Sequence, residues 1–250
     1  MSGHSKWSSI KHKKGKVDAQ RGKMFTKVIR EIQSAVRTGG GGDPEGNARL
    51  RMAVAKAKDV NMPADNVKRA IQKALGGEGG ADLEEVMYEA YGPGGVAMMV
   101  KVLTDNKNRT LPVVRNIITK NGGNLGSAGS VSYLFNHKGQ FLFAPGLDAD
   151  KVMDTAIEAG ADDVNTNDDG SIEVICAPDQ FESIRNAFEK AGLAFESANV
   201  SMIPATTITV DEEAATKILR IVDLLEEEDD VQEVYGNYDI SDAIMEKLSQ

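Results

Sequence analysis

Hydrophobic positions change period along this chain of 250 residues. Residues 2–17 show no period, and only Trp7, Ile10 and Val17 are large and apolar there. From Asp18, a plausible N-cap, the residues Phe25, Val28, Ile29, Ile32 and Val36 repeat on one helical face, and Gly39–Gly42 stop the helix. Leu50, Ala53, Val54 and Ala57 predict a second helix that ends near Asn61. Pro63 then opens a third, with Val67, Ala70, Ile71 and Ala74 on its apolar face. The glycines of 76–80 read as a linker.

Beyond them the period shifts towards two. Strands are expected at 86–91, 96–104, 131–135, 140–144, near Val164, at 171–177, 195–203 and 231–238. Helices are expected at 110–121, 148–159, 178–191 and 211–228. Strands interleaved with single helices predict an α+β multidomain chain: an N-terminal three-helix domain plus two ferredoxin-like α+β domains, one inserted in the other. The expected divisions are a mobile basic arm at 1–17, a basic helical domain at 18–80, an α+β domain made of 81–130 and 204–250, and an inserted domain at 131–203. The glycines of 122–129 and the stretch Pro204–Thr207 are the expected hinges.

Charge sharpens this division. Residues 1–75 carry 17 Lys and Arg against 6 Asp and Glu, whereas the whole chain has a net charge of −9. The asymmetry points to a polyanion-binding segment joined to a body that repels polyanions. The expected contacts in the arm are Lys6, Trp7, Lys11, His12, Lys13, Lys14 and Lys16, with Trp7 able to stack on a base. In the helices they are Arg21, Lys23, Lys27, Arg30, Arg37, Arg49 and Arg51. Lys27, Arg30 and Arg37 point away from the apolar stripe. Lys56, Lys58, Lys68, Arg69 and Lys73 add to the basic character of the domain. A helix-turn-helix made of the second and third helices is a weaker expectation, because no base-reading cluster stands at a helix start.

Other chemistry finds little support. The single cysteine, Cys176, leaves no intrachain disulfide and no cysteine-based metal site, and it fits a reducing compartment. No apolar run reaches membrane-spanning length and no apolar leader opens the chain, so the expectation is a cytoplasmic protein without a membrane partner. Gly92-x-Gly94-x-x-Ala97 matches a dinucleotide fingerprint formally, but an apolar strand follows it instead of a helix. Asp163–Gly170 lacks the glycine and the final glutamate of a calcium loop. A hairpin turn at Asp169-Gly170 explains it better. Glu89 and Asp105 are candidate neighbours on adjoining strands, a weak signal for acid–base work. The acidic run Glu226–Asp230 reads as a solvated helix end. The expectation is no enzyme, no cofactor, no metal and no small-molecule substrate.

Several short stretches together resemble one family. They are Gly3–Trp7, Gln20–Lys23, Phe25–Lys27, Asn61–Pro63, Tyr88–Gly95, Thr104–Thr110, Gly122–Gly126 and Gly129–Phe135. As a set they are similar to the YebC/PmpR family, which includes the mitochondrial translational activator of cytochrome oxidase subunit I. The resemblance implies a helical domain and two α+β domains, one interrupting the other. It also implies a non-enzymatic regulator of gene expression. Its partner is either DNA, in transcription control, or ribosomal RNA on the ribosome, in translation through difficult sequences such as consecutive prolines. A disordered Lys/Gly/Trp arm suits irregular RNA, whereas the family label favours DNA.

Overall fold

A computed structural model describes residues 17–76 and 83–248, with side chains from Gly22 onward. Three helices come first: α1 (Val17–Thr38), α2 (Ala48–Asp59) and α3 (Ala64–Leu75). The apolar stripe of α1 closes the core of this unit, where Val28, Ile32, Ala35 and Val36 meet Leu50, Ala53, Ala57, Ala70 and Ala74. Asn47 ties α1 to α2. Its Oδ1 caps α2 by accepting from the Leu50 amide, and its Nδ2 donates to the Ala35 and Gly41 carbonyls. Both α2 and α3 lean on α1, so α1 is the spine of the domain.

The rest of the chain forms two antiparallel sheets. The first holds β1 (Glu84–Tyr91), β2 (Ala97–Thr104), β3 (Asn124–Leu125) and β9 (Val231–Gly236), in the order β3-β1-β2-β9. The helices α4 (Lys107–Lys120) and α7 (Glu212–Glu226) cover one of its faces. There Met98, Val100 and Val102 of β2 pack against Val114, Ile118, Ile218 and Ile221. A short parallel pair, β8 (Ile208–Thr209) with β10 (Tyr238–Asp239), lies beside this core. A final helix, α8 (Asp242–Leu248), buries Met245.

The second sheet comes entirely from the segment between the two parts of the first. Its elements run β4 (Phe135–Phe143), α5 (Ala149–Glu158), β5 (Asp163–Thr166), β6 (Ile172–Cys176), α6 (Phe181–Ala191) and β7 (Ser197–Pro204). The sheet order is β5-β6-β4-β7, so the β-α-β-β-α-β motif is complete here. Phe141, Phe143, Phe181 and Phe188 form its aromatic core. Cys176 lies in this core, and burial pushes its thiol up to about 11.

Three local expectations are corrected. Residues 131–135 are not a strand: Ser132–Leu134 form a short 3-10 turn, and β4 then runs unbroken from Phe135 to Phe143. Gly139 lets the strand pass straight through, since a Cβ there would lie 2.5 Å from Cys176 Sγ. Glu89 and Asp105 are not neighbours, because Glu89 pairs with Met99 while Asp105 follows the far end of β2. Nor are the glycines of 122–129 a free swivel. The Glu89 carboxylate accepts from the amides of Gly129, Val131 and Ser132 at 2.7–2.9 Å, and Tyr91 Oη donates to the Ser130 carbonyl. Burial opposes the charge on Glu89, but those amides outweigh it and hold its pKa below the usual carboxylate value.

The uncovered face of the first sheet is shared. At one end Ala97, Met99 and Tyr235 meet Val131, Phe135 and Met202 in an apolar seam with the second sheet. At the other end Glu85, Lys101, Leu103 and Glu233 face the helical domain.

Candidate nucleic-acid interface

The expected contacts Lys6, Trp7, Lys11, His12, Lys13, Lys14 and Lys16 lie outside the described residues, as does the side chain of Arg21. Those that are described divide sharply. Lys23, Lys27 and Arg30 sit one turn apart along α1 and aim at the C-terminal end of α7. Lys23 Nζ donates to the Glu227 carbonyl at 3.2 Å and Lys27 Nζ to the Glu226 carbonyl at 2.7 Å. Arg30 donates to the carbonyls of Asp229 and Leu103 and to Asp230 Oδ1. The acidic run 226–230 is therefore not simply a solvated terminus. A helix end leaves carbonyls without intrahelical partners and carries partial negative charge. Three cations from another domain satisfy that end here.

Asp230 is the centre of this contact. Its side chain is 12% exposed and accepts from Arg30, Arg109, Thr104 and Thr110. Burial would raise its pKa, but the hydroxyl of Thr110 and the two guanidinium groups bring it down to about 2. An open cleft of about 530 Å³ lies alongside, lined by Lys23, Arg30, Asp105, Arg109 and Glu227–Asp230. Its walls carry both signs, so it offers no uniform field to a phosphate chain.

Cations on α2 are also engaged. Arg49 reaches Glu31 at 3.2 Å and Glu85 at 2.5 Å. Arg51 meets Glu182 of α6 at 2.7 Å, and Asp59 meets Arg185 of the same helix at 3.0 Å. Lys56 pairs with Glu233 at 2.7 Å. Burial would lift Glu233, but the Lys56 ammonium and the Tyr235 hydroxyl hold it down to about 2. Burial opposes the charge on Lys56 in turn, and Glu233 more than reverses that, keeping its pKa above the usual lysine value. Arg37 is half-buried in the last turn of α1.

One set of cations faces outward. Lys68, Arg69 and Lys73 lie with Gln72 on the face of α3 opposite Ala70 and Ala74, and all are exposed. Arg69 is steadied by Asn66 and the Asp65 carbonyl. Lys58 is exposed at the end of α2. Among the described residues Lys58, Lys68 and Lys73 form no ion pair with the body. Helical spacing located these four residues in the sequence, but nothing in it ranked them above Arg30 or Arg49. The distinguishing property is which face of the domain the body covers, and that is a tertiary fact.

Two family descriptions match the chain, the TACO1/YebC N-terminal domain over residues 5–77 and the TACO1/YebC second and third domain over 83–238. The chain belongs to the TACO1/YebC family. A relative from Paraburkholderia phytofirmans is 56% identical, covering 97% of this chain and all of its own length. One from Pectobacterium carotovorum is 55% identical over 99% of this chain and all of its own. Both carry the name probable transcriptional regulatory protein. A crystal structure of a conserved hypothetical protein from Aquifex aeolicus superposes with a TM-score of 0.80 at 45% identity, covering 91% of this chain and 94% of that one. The three-domain α+β architecture is thus the family's architecture.

Proposed function

We propose that this TACO1/YebC protein is a non-enzymatic regulator of transcription that binds nucleic acid in the cytoplasm. Its contact surface is the basic arm together with Lys58, Lys68, Arg69 and Lys73. The observation that carries this reading is the outward stripe on α3. It is a row of cations left uncovered on a basic domain, while Lys23, Lys27, Arg30, Arg49, Arg51 and Lys56 are turned towards an acidic body. The names of relatives more than half identical to the chain support the transcriptional role. The body's own charge confines phosphate contact to the helical domain and arm.

Anisotropy titration of promoter-length duplex DNA and of a ribosomal RNA fragment, at matched salt, tests the proposal. If about six arm cations meet duplex phosphates, log K falls with log salt at a slope of roughly −5. The substitution pair Lys68→Ala and Lys73→Ala lowers the magnitude of that slope by about two and leaves the unfolding midpoint in place. A salt-independent affinity refutes phosphate contact. Tight RNA binding beside merely non-specific DNA binding replaces transcription with translation as the process served.

A further inference from the structure

Among the described residues the helical domain and the body share no apolar cluster. The helical core is self-contained, and the three apolar clusters of the body hold none of its residues. Across the seam run Lys23, Lys27 and Arg30 to the end of α7, Arg49 to Glu85, Lys56 to Glu233, Arg51 to Glu182, and Asp59 to Arg185. Charged contacts dominate this seam and surround the buried Leu103 of β2. All but one of these contacts have the same polarity, with the cation on the helical domain and the acid or carbonyl on the body.

We infer that α1 and α2 carry a second phosphate-binding surface, made chiefly of Arg49, Arg51 and Lys56, which the acidic body covers by standing in for the phosphates. The inference rests on the nucleic-acid reading above and adds its regulation. The carboxylates of Glu85, Glu182 and Glu233 come from β1, α6 and β9 and converge on one helix. They offer α2 what a nucleic-acid backbone offers: a spaced row of anionic oxygens. Duplex DNA presents one charge per ~1.7 Å of axis, a denser row than these three side chains.

The seam is graded. At the Arg30 end Asp230 is nearly buried and multiply bonded, a contact that water and salt screen poorly. At the α2 end the helix's own side chains Arg49, Arg51, Lys56 and Asp59 are 32–48% exposed and Glu85 and Glu182 are 42% and 51% exposed, with only Glu233 and Arg185 more enclosed at 26% and 18%. Such exposed pairs are individually weak and salt-sensitive. Opening swings α2 away from the body about Arg30, and a polyanion held by the same helical domain then competes with the body's carboxylates for Arg49, Arg51 and Lys56. Binding and opening are then linked, so weakening the seam strengthens polyanion binding, and polyanion binding opens the seam.

The test uses the full chain with spin labels at Glu45→Cys in the helical domain and Glu158→Cys in the inserted domain, both exposed positions. Cys176 is buried and stays unlabelled. Pulsed dipolar spectroscopy is expected to give one distance at low salt. A longer population should appear when a 30-base-pair duplex of random sequence is added, and also at about 0.5 M salt, where the Debye length falls to about 4 Å. The double variant Glu85→Gln and Glu182→Gln, which changes no residue of the arm or α3, should bind that duplex about three- to tenfold more tightly. It should also show the longer distance before DNA is added. Duplex binding with an unchanged distance, together with wild-type affinity of the variant, overturns the covered surface while leaving the proposed function intact. Failure of both duplex and RNA to bind removes the proposed function and the covered surface together.

Discussion

Two seams lie on one face of the first sheet, and they are made of opposite materials. Towards the inserted domain the contact is Ala97, Met99, Val131 and Phe135, all nearly or fully buried. Towards the helical domain it is arginine, lysine, glutamate and aspartate around a single buried leucine, Leu103. Apolar burial is not screened by salt and offers nothing for an anion to replace, so the first seam makes the two sheets one body. Charge pairing is local, screened and open to exchange. The difference separates a permanent joint from a releasable one, and it places the releasable joint beside the domain that bears the outward cations.

The largest effect should come from breaking the permanent joint. Phe135→Ala removes a ring 6% exposed and should cost about 3–5 kcal/mol. Urea denaturation would read this as a lower midpoint. An unchanged midpoint would mean that the two sheets are joined elsewhere.

Next comes the buried end of the charged seam. Asp230→Ala leaves Arg30, Arg109, Thr104 and Thr110 without their shared acceptor. Breaking a buried pair typically costs 3–5 kcal/mol, and with Asp230 at 12% exposure about 3 kcal/mol is expected in the same assay. A loss below about 1 kcal/mol would show that the end of α7 is held by its carbonyl contacts alone.

A smaller effect is expected from pH. Asp230 and Glu233 are held down to about 2 in the folded chain, against ordinary values of 3.8 and 4.5. A depressed carboxylate contributes stability above its unfolded pKa and loses it as pH falls through the folded one. The stability that Glu233 adds over Glu233→Gln should therefore be constant from about pH 5 to pH 8. It should shrink between about pH 4 and pH 2. Thermal melts of both proteins across that range measure it, and a difference that grows on acidification contradicts the pairing.

Much of this fold was legible before the structure. The stripe Phe25–Val36 predicted α1, although the helix begins at Val17, before the expected cap Asp18; the caps Asn47, Asn106, Asp148 and Asp211 of later helices were not singled out. Turn residues such as Asp169-Gly170 fall between β5 and β6, where Gly170 has a φ of +82°. Local signals of this kind are carried by residues near each other in sequence. What was hidden depends on distant ones. Arg30 and Asp230 are 200 positions apart, and nothing in either stretch announces the other. The sequence therefore read Arg30, Arg49 and Arg51 as outward cations and Glu226–Asp230 as a solvated end. The lengths of the strands misled in a similar way: two strands were expected at 131–135 and 140–144, yet β4 runs from Phe135 to Phe143 through Gly139, where a Cβ would meet Cys176 and Phe181.

The split of the first sheet also sets an order of assembly. The β1–β2 hairpin is synthesised more than a hundred residues before β9, the strand that pairs with the open edge of β2. During that interval the whole inserted domain emerges, and its sheet depends on no strand outside residues 135–204. The nested unit can thus finish folding while its host is still incomplete, holding Met99 and Ala97 under its apolar edge until the host's last strand arrives. The residue immediately before that strand is Asp230. The clasp on Arg30 can close only when translation has passed it, so closure of the helical domain onto the body coincides with completion of the sheet beneath.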